Sequence, residues 1–126
     1  MRGGRTLAEA LEECLAEWSH RTGITVETWA LPSADVPRRV ADGVVAALRE
    51  ALAKVERFSD ARVVSVAITV SSAGLRMTVS DDGTGQPWDV TRLRALFAEL
   101  GGRVSVHNVE GQGSTVSGVV PAPGRR

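Results

Sequence analysis

Residues 61–81 hold two runs in which apolar side chains alternate with small or polar ones. Val64, Val66, Ile68 and Val70 recur at every second position. After Ser71-Ser72-Ala73-Gly74 the same period returns as Leu75, Met77 and Val79. Successive side chains of a strand point to opposite faces, so each run makes a strand with one apolar face. The short turn between them makes the pair an antiparallel hairpin. A hairpin with one apolar face must be covered, and the remainder of the chain has to supply that cover.

The cover is legible as helices. Residues 6–21, "TLAEALEECLAEWSHR", place Leu7, Leu11, Cys14, Leu15 and Trp18 three and four apart, the period of a buried helical stripe. Thr6 followed by Glu9 makes a capping box, and Gly23 ends the helix. "ITVETWAL", 24–31, is rich in β-branched residues and predicts a strand. "PSADVP", 32–37, is a turn, with Asp35 as N-cap and Pro37 in the first turn of the next helix. That helix is expected over 36–57, with Val40, Val44, Leu48, Leu52 and Val55 as its stripe and Val45 and Ala51 at the edges. At about 100° per residue, Glu50, Lys54 and Arg57 fall on the other side. "WDVTRLRALFAEL", 88–100, predicts a short amphipathic helix stopped by Gly101-Gly102. "RVSVHNV", 103–109, and "STVSGVVP", from 114, predict a second hairpin joined by "EGQG", and the tail from about 122 to 126 is expected to fray.

The order helix, strand, helix, hairpin, helix, hairpin predicts an α+β fold: a two-layer α/β sandwich, its sheet mostly antiparallel, with three helices on one face. At 126 residues the chain fits one domain, 1–126. Fifteen basic residues balance fifteen acidic ones, which gives no signal for a nucleic-acid partner. No apolar run approaches a membrane span, and the start "MRGGRTLAEALEE" is no secretory signal. No membrane contact is expected, and the chain reads as cytoplasmic. The single cysteine, Cys14, allows neither an internal disulfide nor a metal site of its own, and reads as core. Fourteen of the fifteen basic residues are arginine, a bias that accords with a GC-rich genome.

Three segments could carry chemistry. "DDGTG" follows directly on a strand, so Asp81 stands at a strand end and Gly83 and Gly85 allow close approach to the backbone. A carboxylate there can accept a hydrogen bond from an exocyclic amine. "EGQGST", 110–115, offers Gly111, Gly113 and the hydroxyls of Ser114 and Thr115. Each loop alone reads as an ordinary turn, and neither is a Walker motif, since no Lys-Ser or Lys-Thr follows. Glu50 and Lys54, the only lysine of the chain, stand four apart in the order that favours a surface ion pair.

Taken together, "REAL" on a helix, "SDDGTG" after a hairpin, and "LGGRVSVHNVEGQGSTVSGVVP" at the end resemble the ATP-binding domain of sensor histidine kinases. This is the GHKL superfamily, shared with gyrase B, Hsp90 and MutL. The match is nearest to kinases paired with NarL-type response regulators, whose helix reads roughly "REALTNVxRHAxA". The resemblance covers nearly the whole chain. It implies the Bergerat-type ATP-binding fold, with Asp81 accepting from the adenine amino group, Gly83 and Gly85 shaping the pocket floor, and Ser114 or Thr115 supporting the adenine end. Gly111 and Gly113 fall in the terminal glycine loop. Glu50 lies near the phosphates, in a catalytic role.

Departures from the pattern bear on cofactors. Lys54 stands where the family has the asparagine that helps hold Mg²⁺. An ammonium only donates, so it cannot ligate a cation; no metal ligand is assigned. Phe58 replaces the histidine of "RHA". The mobile lid and its "GxGL" motif are missing between Gly85 and Asp89, where only "QPW" intervenes. Trp88 is placed either to cover the pocket mouth or to pack in the core. His20 and His107 match no phospho-accepting motif and read as structural. The resemblance therefore implies weak ATP or ADP binding with little call on Mg²⁺, and Lys54 could replace the metal in part by pairing with phosphate. Expected partners are a histidine-bearing dimerisation domain, a partner kinase or a response regulator. Two alternatives stand beside this: a pseudo-ATPase that binds or regulates a partner, and an anti-sigma-factor-type serine kinase.

Overall fold

The alternating runs pair as expected. In the computed structural model, which describes residues 6–83, 89–109 and 113–122, β2 (Val63–Ser71) and β3 (Gly74–Asp81) are antiparallel, with Val66 opposite Val79 and Ile68 opposite Met77. The second hairpin joins β4 (Arg103–Val109) to β5 (Gly113–Pro121), and β5 lies against β3. At the other edge β1 (Thr25–Ala30) pairs with β2, and this pair is parallel. Parallel neighbours need a crossover, and α2 (Arg38–Lys54) makes it. The strand order is β1-β2-β3-β5-β4.

The three helices, α1 (Leu7–Thr22), α2 and α3 (Thr91–Glu99), bury their apolar residues in one cluster with one face of this sheet. Val64, Val66, Ile68, Leu75, Met77, Val79, Val116 and Val120 line that face. Ser65, Thr69, Arg76 and Thr78 fall on the opposite one and are half-buried or exposed. Strand alternation thus decides which face the helices cover, and the result is the expected two-layer α+β sandwich.

Details of the helices differ from the sequence expectation. The capping box of α1 forms, with Thr6 Oγ1 accepting from the Glu9 N–H and Glu9 Oε1 from the Thr6 N–H. Asp35, expected to cap α2, instead accepts from the Leu7 N–H at 2.8 Å. Two helix starts lie side by side, and the carboxylate serves the one its turn brings within reach; such a cap contributes about 1 kcal/mol. α2 begins after Pro37, without a side-chain cap. It ends as an α-helix at Lys54 and continues through a π-helical turn, Val55–Ser59, to Asp60 in the left-handed region at φ 60°. Its buried stripe is broader than the valines and leucines alone, because Ala41, Ala47 and Ala51 are also fully buried. Gly43 admits α3's end, since a Cβ there would stand 2.8 Å from Leu100 Cδ1. Helix α3 starts at Thr91, three residues later than expected. Ala122 was assigned to the fraying tail, yet its N–H donates to the Ala73 carbonyl at 3.0 Å; the rest of that tail lies outside the described residues.

Candidate functional site

Leu75, Met77 and Val79 form the inward row of β3, and the next inward position is Asp81. A carboxylate therefore closes an apolar row, 9% exposed. A buried charge needs hydrogen-bond partners, and the Gly83 N–H donates to Asp81 Oδ1 at 2.9 Å. Across the sheet Asp81 stands opposite Ser114 of β5, which stands opposite Asn108 of β4. Asn108 Nδ2 donates to Ser114 Oγ at 2.6 Å. The result is a polar row over three strands at one end of an otherwise apolar face. Gly113 is required beside it: its φ is +106°, and any Cβ would collide with the Asp81 carbonyl oxygen.

Asp82, one residue on, points elsewhere. Its Oδ1 accepts from the N–H groups of Val63 and Arg62 at 3.0 and 2.9 Å. The Val63 hydrogen bond, with that of Arg62, holds its carboxyl below the ordinary carboxylate range. A lowered folded-state pKa gives stability that is present above the unfolded value and is lost as pH falls through the folded one. The urea midpoint of the native chain should therefore drop below about pH 4 more steeply than that of Asp82→Asn. Parallel acid limbs for the two proteins would refute this role.

A second polar group lies between α2 and α3. Glu50 and Lys54 are not solvated surface charges; their side chains are 17% and 24% exposed. Lys54 Nζ lies 3.7 Å from Glu50 Oε2, and Arg92 Nε of α3 lies 3.7 Å from Glu50 Oε1. Each carboxylate oxygen thus faces a cation. The Lys54 ammonium also sits 5.6 Å from the Phe58 ring centroid, within cation–π range. Sequence reading missed both Asn108 and Arg92. The signal for Arg92 was its place in the first turn of α3, where the helix dipole disfavours a cation.

Among the sequence-derived site residues, the structure brings Asp81, Gly83, Gly113 and Ser114 together at the sheet end, and Glu50 with Lys54 beside α3. The chain leaves the first group at Gly83, and Asp89 stands by the second. The Asp89 carboxyl is held low by the Thr91 hydroxyl, then by the Thr91 N–H, with the Lys54 charge adding. Thr115 does not join them. It faces the opposite side of the sheet, where its hydroxyl lies 2.9 Å from that of Ser80, because neighbours on a strand alternate. Gly85, Gly111 and Trp88 lie outside the described residues. His20 and His107 are both exposed, and Cys14 is buried as expected.

No family model matches the chain. The curated sensor histidine kinase LiaS of Bacillus subtilis is 30% identical over 126 residues, an alignment that covers 94% of this chain and 35% of that protein. The blue-light-activated histidine kinase of Erythrobacter litoralis EL346 superposes with a TM-score of 0.78 at 27% identity, covering 92% of this chain and 42% of that one. The chain belongs to the family of histidine-kinase ATP-binding domains. The ATP-binding domain of PrrB from Mycobacterium tuberculosis shares the fold, with a TM-score of 0.74 at 17% identity over 95% of this chain and 96% of its own. This histidine-kinase ATP-binding domain thus spans 35% of the curated relative that it matches. None of its described helices is long and apolar enough to cross a membrane.

Proposed function

We propose that this chain is the nucleotide-binding module of a two-component sensor kinase of the NarL-partnered class, that it binds ATP or ADP weakly, and that it has lost most of its dependence on Mg²⁺. The observation that carries the reading is Glu50, whose two oxygens face Lys54 and Arg92 at 3.7 Å each. Lys54 is the better shielded of the two cations; the Arg92 side chain is 70% exposed, and an ion pair so open to water contributes about 0–1 kcal/mol. A Mg²⁺ ion brought to Glu50 would meet two cations already in place. Magnesium also wants oxygen ligands, and Lys54 offers a donor only. The residues present do not fit the metal.

The adenine end argues that binding persists. Asp81 stands at the strand end, with Ser114 beside it and Gly113 keeping the backbone close. A carboxylate accepts hydrogen bonds and donates none, which is the chemistry an exocyclic amine needs at that strand end. In this reading Asp81 selects the base and Glu50 orients Lys54 and Arg92. Phosphoryl transfer, to a histidine on a dimerisation domain or a partner kinase, is slow or absent. A response regulator would act downstream of that histidine. The same facts favour a partner-binding pseudo-ATPase over an active kinase. Nothing in the site favours a serine kinase of the anti-sigma-factor type.

Calorimetric titration with ATP and ADP, with and without Mg²⁺, tests the reading. Weak binding that hardly responds to Mg²⁺ is the expected result. Tight Mg²⁺-ATP binding, or turnover when a histidine-bearing partner is supplied, would overturn it.

A further inference from the structure

Lys54 and Arg92 come from different helices and converge on one carboxylate. Lys54 is set by α2 and steadied by the Phe58 ring, and Arg92 is carried in by the first turn of α3. Glu50 faces both at 3.7 Å, Lys54 from a shielded side chain and Arg92 from one that is 70% exposed. Lys54 is a point charge with three donors, and Arg92 a planar fork with five, so the pair can meet an anion bearing several oxygens from two sides.

We infer that Lys54 and Arg92 form a metal-free clamp for the terminal phosphates of a nucleoside di- or triphosphate, with Glu50 as the internal anion that those phosphates displace. The inference rests on the nucleotide reading above, and adds Arg92 and the inverted role of Glu50. A carboxylate that served catalysis or a metal would weaken phosphate binding when neutralised. A carboxylate that competes with phosphate for two cations does the opposite. Removing its charge leaves the cluster one unit more positive, and the anion should bind more tightly.

The test measures affinity in EDTA for three probes: ADP, adenosine and inorganic tripolyphosphate. Lys54→Gln and Arg92→Gln should each weaken ADP and tripolyphosphate about tenfold, the scale of one charge-assisted hydrogen bond, and leave adenosine unchanged. Glu50→Gln should tighten both phosphate probes severalfold. Lys54→Arg should recover most of the affinity lost in Lys54→Gln, which separates a charge effect from a folding defect. Binding of tripolyphosphate without ADP or adenosine would sustain the clamp and sink the adenine assignment. Binding of ADP that is unmoved by Lys54→Gln and Arg92→Gln, or weakened by Glu50→Gln, would overturn the clamp while leaving the adenine site standing. No binding by any probe removes both.

Discussion

Phe97→Ala should remove about 3–5 kcal/mol of stability, the range for a fully buried phenylalanine. A domain of this size has only about 5–15 kcal/mol in all, so the variant will be marginal. Phe97 is 0% exposed, and its ring lies over Gly118 of β5. A Cβ at position 118 would fall inside that ring. Helix α3 is therefore seated on the sheet by one aromatic ring on one bare backbone position. Gly118→Ala should cost about 1–3 kcal/mol by overpacking. In the Phe97→Ala background the added methyl enters a cavity, so it should cost little or even restore stability. Urea unfolding of the two single variants and the double variant checks this as a coupling energy. Additive losses would show that the ring does not rest on Gly118. Because α3 also carries Arg92, a loosened α3 should weaken phosphate binding as well.

Asp81→Asn should lower the affinity for ADP and adenosine alike by about 10- to 100-fold, the loss expected when a hydrogen bond to a charged acceptor is removed. The change keeps the shape of the side chain but turns part of an acceptor into a donor, which would face the donor of an exocyclic amine. The Gly83 N–H can still be accepted by the amide oxygen, so the strand end keeps its local bond. Tripolyphosphate binding should not move, since Asp81 serves the base. Isothermal titration with the three probes reads this directly. An unaltered affinity for adenosine would remove Asp81 from the site.

Most of the fold was legible in the chain because period decides face. The run from Val64 to Val79 placed a hairpin and its covered side, and put Asp81 at a strand end; that Asp81 faces inward came from the structure. The stripe from Val44 to Val55 placed α2 against it. Local chemistry also settled the Thr6–Glu9 box and the Gly23 stop. The resemblance to histidine-kinase domains rested on short motifs at fixed places, and the relatives bear it out.

What the chain alone did not decide are the meetings between segments distant in sequence. Asp35 reads as a cap for the helix that follows it, yet it caps α1, 28 residues away. Thr115 and Ser114 read as equivalent hydroxyls until β5's register against β3 put Ser114 opposite Asp81. Asn108 gained its role only when β4 paired with β5. Lys54 read as half of a local surface pair, because spacing on one helix is all a sequence displays. The second cation facing Glu50 depends on where α3 docks. That docking is set by Phe97 on Gly118 and Leu100 on Gly43, contacts between residues whose partners no local pattern names.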